Sequence, residues 1–186
     1  MIGPQAVVAI AALLAAVWVV ATVNRFVRLR QHLRESWADI DVELERRYDL
    51  IPNLVATVKG YAAHERDVLE RVLELRGRAL ASHGDAASQA VDETRLQLGM
   101  KRLFAVAEAY PELKADAHFR ELQRQLALTE DRIAAARRFF NGNVRTLEVL
   151  RRSFPTNLIG SALGVEPGSY FEITDEAERV VPRVEV

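Results

Sequence analysis

Hydrophobic residues recur every three or four positions along most of this chain, a spacing typical of amphipathic α-helices. The clearest stripe lies late in the chain, where seven positions alternate steps of three and four without a slip: Phe119, Leu122, Leu126, Thr129, Ile133, Ala136 and Phe140. Three shorter stripes precede it, at 33–44, 54–75 and 96–110. The pattern predicts an all-α fold, in which an up-and-down antiparallel four-helix bundle buries these stripes.

Residues that disfavour helix divide the stripes from one another. The Gly- and Ser-containing stretch at 82–88, the proline Pro111 and the FPTN sequence at 154–157 each indicate a break. We therefore predict a bundle domain at 25–157, with helices at about 28–48, 52–81, 88–109 and 116–152. Residues 158–186 are rich in Gly and Pro, and we expect a short helical turn followed by an irregular tail. Within this stretch, strand-like alternation occurs only at 180–186.

Pro52 lies inside an apolar stripe that keeps its helical phase from Leu44 to Val58. A proline in a helix interior removes one backbone hydrogen bond, so the helix either bends there or ends there. A continuous helix from Asn24 to Ala81 would be roughly 87 Å long, at 1.5 Å per residue, and the other helices would cover only part of it. We therefore expect a hairpin at 49–52, with a bent continuous helix as the alternative.

An uninterrupted apolar segment begins the chain. Residues 6–23 carry no charge and a single hydroxyl, Thr22, and the run from Ile2 to Val23 would form roughly 33 Å of helix, close to the ~30 Å hydrocarbon core of a bilayer. A signal peptide would require a positive n-region, which is missing here, and a core helix is rarely apolar on every face. We predict a transmembrane anchor at 1–24 that contacts membrane lipid through residues 2–23.

Basic residues cluster directly after the anchor. Arg25, Arg28, Arg30 and Arg34 all precede Glu35, the first acidic residue of the chain. Because positively charged flanks stay in the cytoplasm, we expect a single span with its N-terminus outside and the bulk of the chain cytoplasmic.

The composition excludes several classes of function. The net charge is −1, which gives no global field for nucleic acid, so no nucleic-acid partner is expected. Without cysteine the chain has no thiolate metal site and no cysteine nucleophile. None of the four histidines follows a glutamate by three residues, as a di-iron bundle requires: His32, His64, His83 and His118. We expect no catalytic residue, no cofactor and no metal.

Two polar clusters remain as candidates. Glu65, next to His64, falls in a core position of its stripe, and we expect it to accept hydrogen bonds from the arginines Arg46, Arg47 or Arg137 in a structural role. The sequence RRFF at 137–140 combines basic and aromatic residues. One of the aromatics, Phe140, belongs to the apolar stripe that begins at Phe119, and the arginines can form ordinary charge pairs along the helix.

Several long motifs together resemble the LemA family of bacterial membrane proteins. They are WADIDVELERRYDLIPNLVATVKGYAAHE at 37–65, RIAAARRFFNGNVRTL at 132–147, FPTNLIG at 154–160 and SYFE at 169–172, behind a single N-terminal hydrophobic segment. The chain departs from the usual family pattern at 140–143, FNGN, which bears on helix continuity there. The resemblance implies a four-helix bundle on a single-pass anchor, and it implies no activity. We expect the anchor to lie in the bacterial inner membrane.

We therefore expect a non-enzymatic scaffold or protein-interaction module at the cytoplasmic face of the membrane. Relatives of the family in magnetosome-forming bacteria are linked to building membrane compartments, which favours a scaffold over an enzyme. The alternative is an accessory or regulatory partner of another membrane protein, such as a protease or a transporter. The protein partner is unknown, and self-association into a homo-oligomer is compatible with either interpretation.

Overall fold

The computed structural model describes residues 3–82 and 85–173, and 86% of these residues are helical while none is in a strand. The all-α prediction is therefore confirmed over the described part of the chain. The elements in chain order are α1 (Pro4–Tyr61), α2 (Arg66–Ala81), α3 (Ala86–Glu108), α4 (Pro111–Ala115), α5 (Ala117–Arg152) and α6 (Thr156–Ala162).

The chain separates into two compact units. The first, here called the proximal unit, comprises Met1–Trp37 and Phe139–Gly168, and the second, the distal unit, comprises Ala38–Arg138 and Ser169–Val186. Helices α1 and α5 each contribute to both units, since each is continuous across the boundary residues. Residues 1–2, 83–84 and 174–186 lie outside the described residues, so the predictions of an irregular tail beyond Ile173 and of a strand at 180–186 fall there.

The predicted hairpin at 49–52 is wrong. Helix α1 continues through Pro52 and ends only at Tyr61, and the turn that leads into α2 lies at 62–65. The physical reason is burial, because apolar side chains before and after the proline all lie in the core: Leu44, Tyr48, Ile51, Leu54, Val55 and Val58. A proline costs a helix interior about 3 kcal/mol, and burying several large apolar side chains at about 1.5–3 kcal/mol each outweighs that cost.

The stripe in the last long helix is confirmed. Helix α5 buries Phe119, Leu122, Leu126, Thr129, Ile133 and Phe140, and Ala136 is half-buried. Gly142 lies within the helix without interrupting it, so the departure from the family pattern at 140–143 does not break α5. The start of α5 is defined by Asp116, whose Oδ1 accepts a hydrogen bond from the Phe119 amide at 2.8 Å.

A similar cap begins α3. The Asp85 carboxylate accepts a hydrogen bond from the Ser88 amide at 3.0 Å. Helix α3 ends at Glu108, before the Tyr110–Pro111 pair that the sequence marks as a break, and Pro111 begins the short α4 rather than a loop. Proline is well tolerated in the first turn of a helix because that turn has no partner for its amide.

The proximal unit has a small core of its own. Phe26, Leu147, Leu150 and Val165 form a buried group, the Phe26 cluster, against which partly buried apolar residues of α1 and α6 pack: Leu29, Leu33 and Ile159. Gly160 lies so close to Phe26 that a Cβ at this glycine would be 3.0 Å from Phe26 Cζ. Helix α6 is therefore held directly against the segment of α1 that follows the apolar run.

The end of α6 directs the chain back into this cluster. Gly164 has a positive φ of 58°, and its amide bonds to the Ser161 carbonyl at 3.1 Å while the Val165 amide bonds to the Gly160 carbonyl at 3.0 Å. This pair of bonds is the Schellman arrangement, which requires a left-handed residue just after the helix and is easiest for glycine. It places Val165 in the Phe26 cluster.

Candidate functional site

A buried ion pair lies at the centre of the distal unit. Arg47 of α1 and Glu93 of α3 have no exposed side-chain surface, and Arg47 Nη2 donates to Glu93 Oε2. Arg47 Nη1 also donates to Glu130 Oε1 of α5 at 3.0 Å, and Glu130 is partly exposed. One guanidinium therefore connects three helical segments.

Two further side chains donate hydrogen bonds to Glu93 of this pair. The Tyr48 hydroxyl donates to Glu93 Oε1, and Gln89 Nε2 lies 2.9 Å from the same oxygen and 3.1 Å from the Ala79 carbonyl at the end of α2. Burial raises the pKa of the Tyr48 hydroxyl to about 12, against the opposing charge of Arg47. Tyr48 is therefore a neutral hydrogen-bond donor at physiological pH.

The backbone at Pro52 is accommodated by a side chain of another helix. Because Pro52 has no amide hydrogen, the Tyr48 carbonyl four residues earlier lacks its usual helical donor. Arg76 of α2 donates from Nε to this carbonyl at 2.6 Å. The hydrogen bond that the proline removes from α1 is thus replaced by a bond between α1 and α2.

The polar network of Arg47, Tyr48, Gln89, Glu93 and Glu130 has the properties of a structural site. Its central charges are opposite, adjacent and buried, so each compensates the desolvation of the other, and removing one would leave the other buried and unpaired. Arg47 Nε has no hydrogen-bond partner, although it is buried. Within residues 3–82 and 85–173, no group of three or more histidine, aspartate or glutamate side chains is placed to hold a metal ion.

The structure does not bring Glu65 to the buried arginine. Glu65 precedes α2 at its N-cap, where it is half-buried and makes no side-chain cap, so the expectation that it would receive the buried arginine is wrong. Arg47 instead binds Glu93, while Arg46 pairs with Glu43 on the exposed side of α1 at 2.8 Å. The reason is that the helix through Pro52 shifts the turn to 62–65, which removes Glu65 from the predicted core position.

The other singled-out residues are also not brought together. His64 is exposed, and Arg137 donates to the Ile173 carbonyl at 3.3 Å. Phe140 packs against Trp37 with ring centroids 5.2 Å apart, while Phe139 is exposed. The prediction that one aromatic of RRFF belongs to the buried stripe of α5 is therefore confirmed.

Sequence reasoning missed Gln89 and Glu93, although a signal for both was present. The third apolar stripe begins at Leu96, and steps of three and then four residues back in the same phase reach Glu93 and Gln89. Polar residues in the apolar phase of a helix indicate a buried polar network when a partner is available.

A groove lies between α2 and α3 in the distal unit, with a cavity volume of about 500 Å³. Its floor is apolar and its rim carries three arginines and one aspartate; the lining residues are Asp67, Val68, Arg71, Val72, Leu75, Arg95, Leu98, Gly99 and Arg102. Gly99 permits the two helices to approach closely, since a Cβ there would lie 2.8 Å from Leu75 Cδ1.

The first five turns of α1 have the character of a membrane span. Side chains from Gly3 to Ala21 are exposed, although nearly all of them are apolar. By length and composition, α1 contains a segment apolar enough to cross a bilayer. A contiguous apolar surface of this extent is unusual for a soluble monomer.

The chain is similar to magnetosome proteins. The magnetosome proteins MamQ 1 and MamQ 2 of Paramagnetospirillum magneticum (strain AMB-1) are each 23% identical to this chain, over 91% of the chain and 73% of their own length. The magnetosome protein MamQ of Magnetospirillum gryphiswaldense (strain MSR-1) is 23% identical over 80% of the chain and 64% of its own length.

These relatives and the apolar part of α1 together indicate a membrane-associated protein. The sequence pattern of the LemA family matches residues 36–186, which include the whole of the buried polar network and the FPTNLIG segment. The chain belongs to the LemA family.

Proposed function

We propose that this protein is a membrane-anchored, non-enzymatic interaction module that presents a four-helix bundle at the cytoplasmic face of the bacterial inner membrane. The observation that carries the proposal is the course of α1. A single helix begins with the exposed apolar segment and continues into the residues that hold the buried polar network, Arg47 and Tyr48. Anchor and helical body thus belong to one element.

The polar network supports the bundle. Its hydrogen bonds join four helical segments, since Arg47 and Tyr48 lie on α1, the Ala79 carbonyl on α2, Glu93 on α3 and Glu130 on α5. Buried polar groups of this kind restrict which helices can pack together, because any other pairing leaves them unsatisfied. An up-and-down antiparallel connection is the arrangement that short loops favour.

The arginines that follow the apolar segment support the proposed orientation of the chain. Four of them follow the apolar segment within eleven residues, and the short stretch before it carries no charged side chain. Residues 2–23 would then contact membrane lipid, with the N-terminus outside and the C-terminus in the cytoplasm. A reporter enzyme fused after Val186 should be active only if it is a cytoplasmic reporter, and activity of a periplasmic reporter at that position would overturn the orientation.

The groove between α2 and α3 is the surface that supports an interaction role. An apolar floor with a basic rim is suited to an amphipathic segment with acidic residues, which would bury its apolar face and pair with Arg102. Arg71 and Arg95 add positive charge to the rim, although each pairs with an acidic residue of its own helix, Glu74 and Asp92. The segment would come from a protein partner or from a second copy of this chain. An accessory role toward another membrane protein uses the same surface, so the experiment has to distinguish these occupants.

Site-specific photo-crosslinking in cells tests the interaction role. A photoreactive residue replaces Leu98, which lines the groove, and the matched control replaces Leu128, an exposed leucine of α5. A scaffold predicts products at multiples of the chain's own mass from position 98, and an accessory protein predicts one dominant product with a second protein. Equal crosslinking from both positions, or none from either, would contradict an interaction role for the groove.

A further inference from the structure

The turn between α5 and α6, together with α6 itself, exposes large apolar side chains. Phe154 is 81% exposed and Leu158 is 62% exposed, and Leu163 follows at the end of α6. The opposite side of the same element is packed, since Gly160 lies against Phe26 and Val165 is in the Phe26 cluster. The element is therefore held in place while one of its sides is apolar and uncovered.

Contacts along α1 show at what level this element lies. At one end of the proximal unit, Phe140 packs on Trp37, and Asn143 Nδ2 donates to Ser36 Oγ at 3.2 Å. At the other end, Gly160 lies against Phe26, which is three residues after Val23. At 1.5 Å per residue, α6 is level with a point only about 5 Å beyond the end of the apolar segment.

That level corresponds to the headgroup layer of a bilayer. The hydrocarbon core is about 30 Å thick and the bilayer with its polar layers about 40–45 Å, so each polar layer extends about 5–8 Å beyond the core. If residues 2–23 occupy the core, α6 and the turn before it lie where the bilayer changes from apolar to polar. Aromatic and aliphatic side chains are favoured at this depth.

The charge of the proximal unit matches an anionic lipid surface. Its side chains include seven arginines and three glutamates, a net charge of +4, whereas the whole chain has −1. Two of these arginines, Arg25 and Arg145, line one depression of about 340 Å³ with Phe154 and Thr156. Guanidinium and hydroxyl groups are suited to binding a lipid phosphate, and the adjacent phenyl ring is suited to the glycerol and upper acyl region.

We propose that the segment from Ser153 to Leu163 docks on the anionic headgroups of the same bilayer that α1 crosses, with Phe154 and Leu158 inserted and with Arg25 and Arg145 on lipid phosphate. This rests on the proposed membrane anchoring by α1. It assigns a role to the FPTNLIG motif, which neither the buried network nor the groove uses. The bilayer is chosen as the occupant because the surface continues the apolar segment of α1 and has the complementary charge.

Depth-dependent fluorescence quenching tests the docking. Because the natural chain has no cysteine, single variants Phe154→Cys and Leu158→Cys can each carry one environment-sensitive label. The full-length protein is reconstituted in vesicles of phosphatidylcholine and phosphatidylglycerol that contain lipids with a quencher near the headgroup. The matched control is Phe139→Cys, a 61% exposed position in the same unit, next to Phe140 and therefore about 21 Å along α1 from Val23.

We expect labels at positions 154 and 158 to be quenched at least twofold more than the label at position 139. Replacing both Arg25 and Arg145 by glutamine should reduce this excess in anionic vesicles and leave it unchanged in pure phosphatidylcholine. A label at Val17→Cys reports on the anchor itself and should be quenched most by lipids with a quencher deep in the acyl chains.

The outcomes separate the two proposals. Deep quenching at position 17 with equal quenching at 154 and 139 would overturn the docking and leave the anchor intact. Absence of quenching at position 17 would overturn the anchor and the docking with it. Quenching at 154 and 158 that is indifferent to lipid charge and to both arginines would overturn the assignment of the phosphate contacts.

Discussion

The hydrogen bond from Arg76 to the Tyr48 carbonyl makes a sharp prediction, because it substitutes for the amide that Pro52 lacks. Replacing Arg76 with methionine keeps most of the apolar stem and removes the donor. A hydrogen bond from a charged group contributes about 1.5–3 kcal/mol, and a carbonyl left without a partner costs about 1–3 kcal/mol. We expect Arg76→Met to lower the free energy of unfolding by about 1.5–3 kcal/mol.

The same substitution should matter much less when Pro52 is replaced. In a Pro52→Ala background, the alanine amide can donate to the Tyr48 carbonyl as in an ordinary helix, so losing Arg76 no longer leaves this carbonyl unpaired. We expect Arg76→Met to cost less than about 1 kcal/mol there, which is a coupling of about 1–2 kcal/mol between positions 52 and 76. Pro52→Ala alone should be neutral or stabilising, because it restores a helical amide.

Thermal unfolding of the full-length protein in a mild non-ionic detergent, followed by helical circular dichroism, measures these differences. For a chain of this size 1 kcal/mol shifts the Tm by about 2–4 °C, so Arg76→Met should lower the Tm by about 3–12 °C. The control is Arg78→Met, on the same helix, where an exposed arginine pairs with Glu74 and should contribute about 0.5 kcal/mol or less in either background. Equal costs of Arg76→Met with proline and with alanine at position 52 would refute the reasoning.

Three further predictions concern the core and its charges. Ile133→Ala should lower the free energy of unfolding by about 2–5 kcal/mol, because Ile133 is 2% exposed. Arg132→Ala, at a side chain that is 56% exposed, should lower it by about 0.5 kcal/mol or less. Equal losses in denaturant unfolding would mean that the helical phase is wrong. Glu93→Leu should lower the free energy of unfolding by about 3–5 kcal/mol, because it leaves Arg47 partly unpaired. Adding Arg47→Met should recover most of this loss. A double variant as unstable as the single variant would contradict the compensation of the two charges. Hydrogen bonds from Arg151, together with one from the Gly168 amide, lower the pKa of Glu148 from 4.5 to about 2. The Glu148 carboxylate therefore stabilises the fold fully above about pH 4.5, and this stabilisation is lost as the pH falls toward 2. A Tm difference between the natural protein and Glu148→Gln that persists at pH 2 would contradict this expectation.

The sequence determined the helical class and the candidate span. The uninterrupted apolar run at 6–23 is too long and too uniform for a surface helix. The apolar residues from Phe119 to Phe140 all fall on one face of a helix, which is the face that a fold must bury. The start of α5 and the break at Tyr110–Pro111 also follow from local chemistry, because a capping aspartate and a proline act within one helical turn. Such features depend on residues that are close in the chain, so they can be predicted from the sequence alone.

The course of α1 through Pro52 was decided only by the tertiary structure. Local rules favour a break, and the helix continues because distant residues bury its apolar face and because Arg76, on another helix, supplies the missing hydrogen bond. The choice of Glu93 over Glu65 as the buried partner of Arg47 has the same origin, since it follows from where the turn after α1 falls. The position of α6 against Phe26 likewise depends on contacts between residues more than 130 positions apart, which no local pattern encodes.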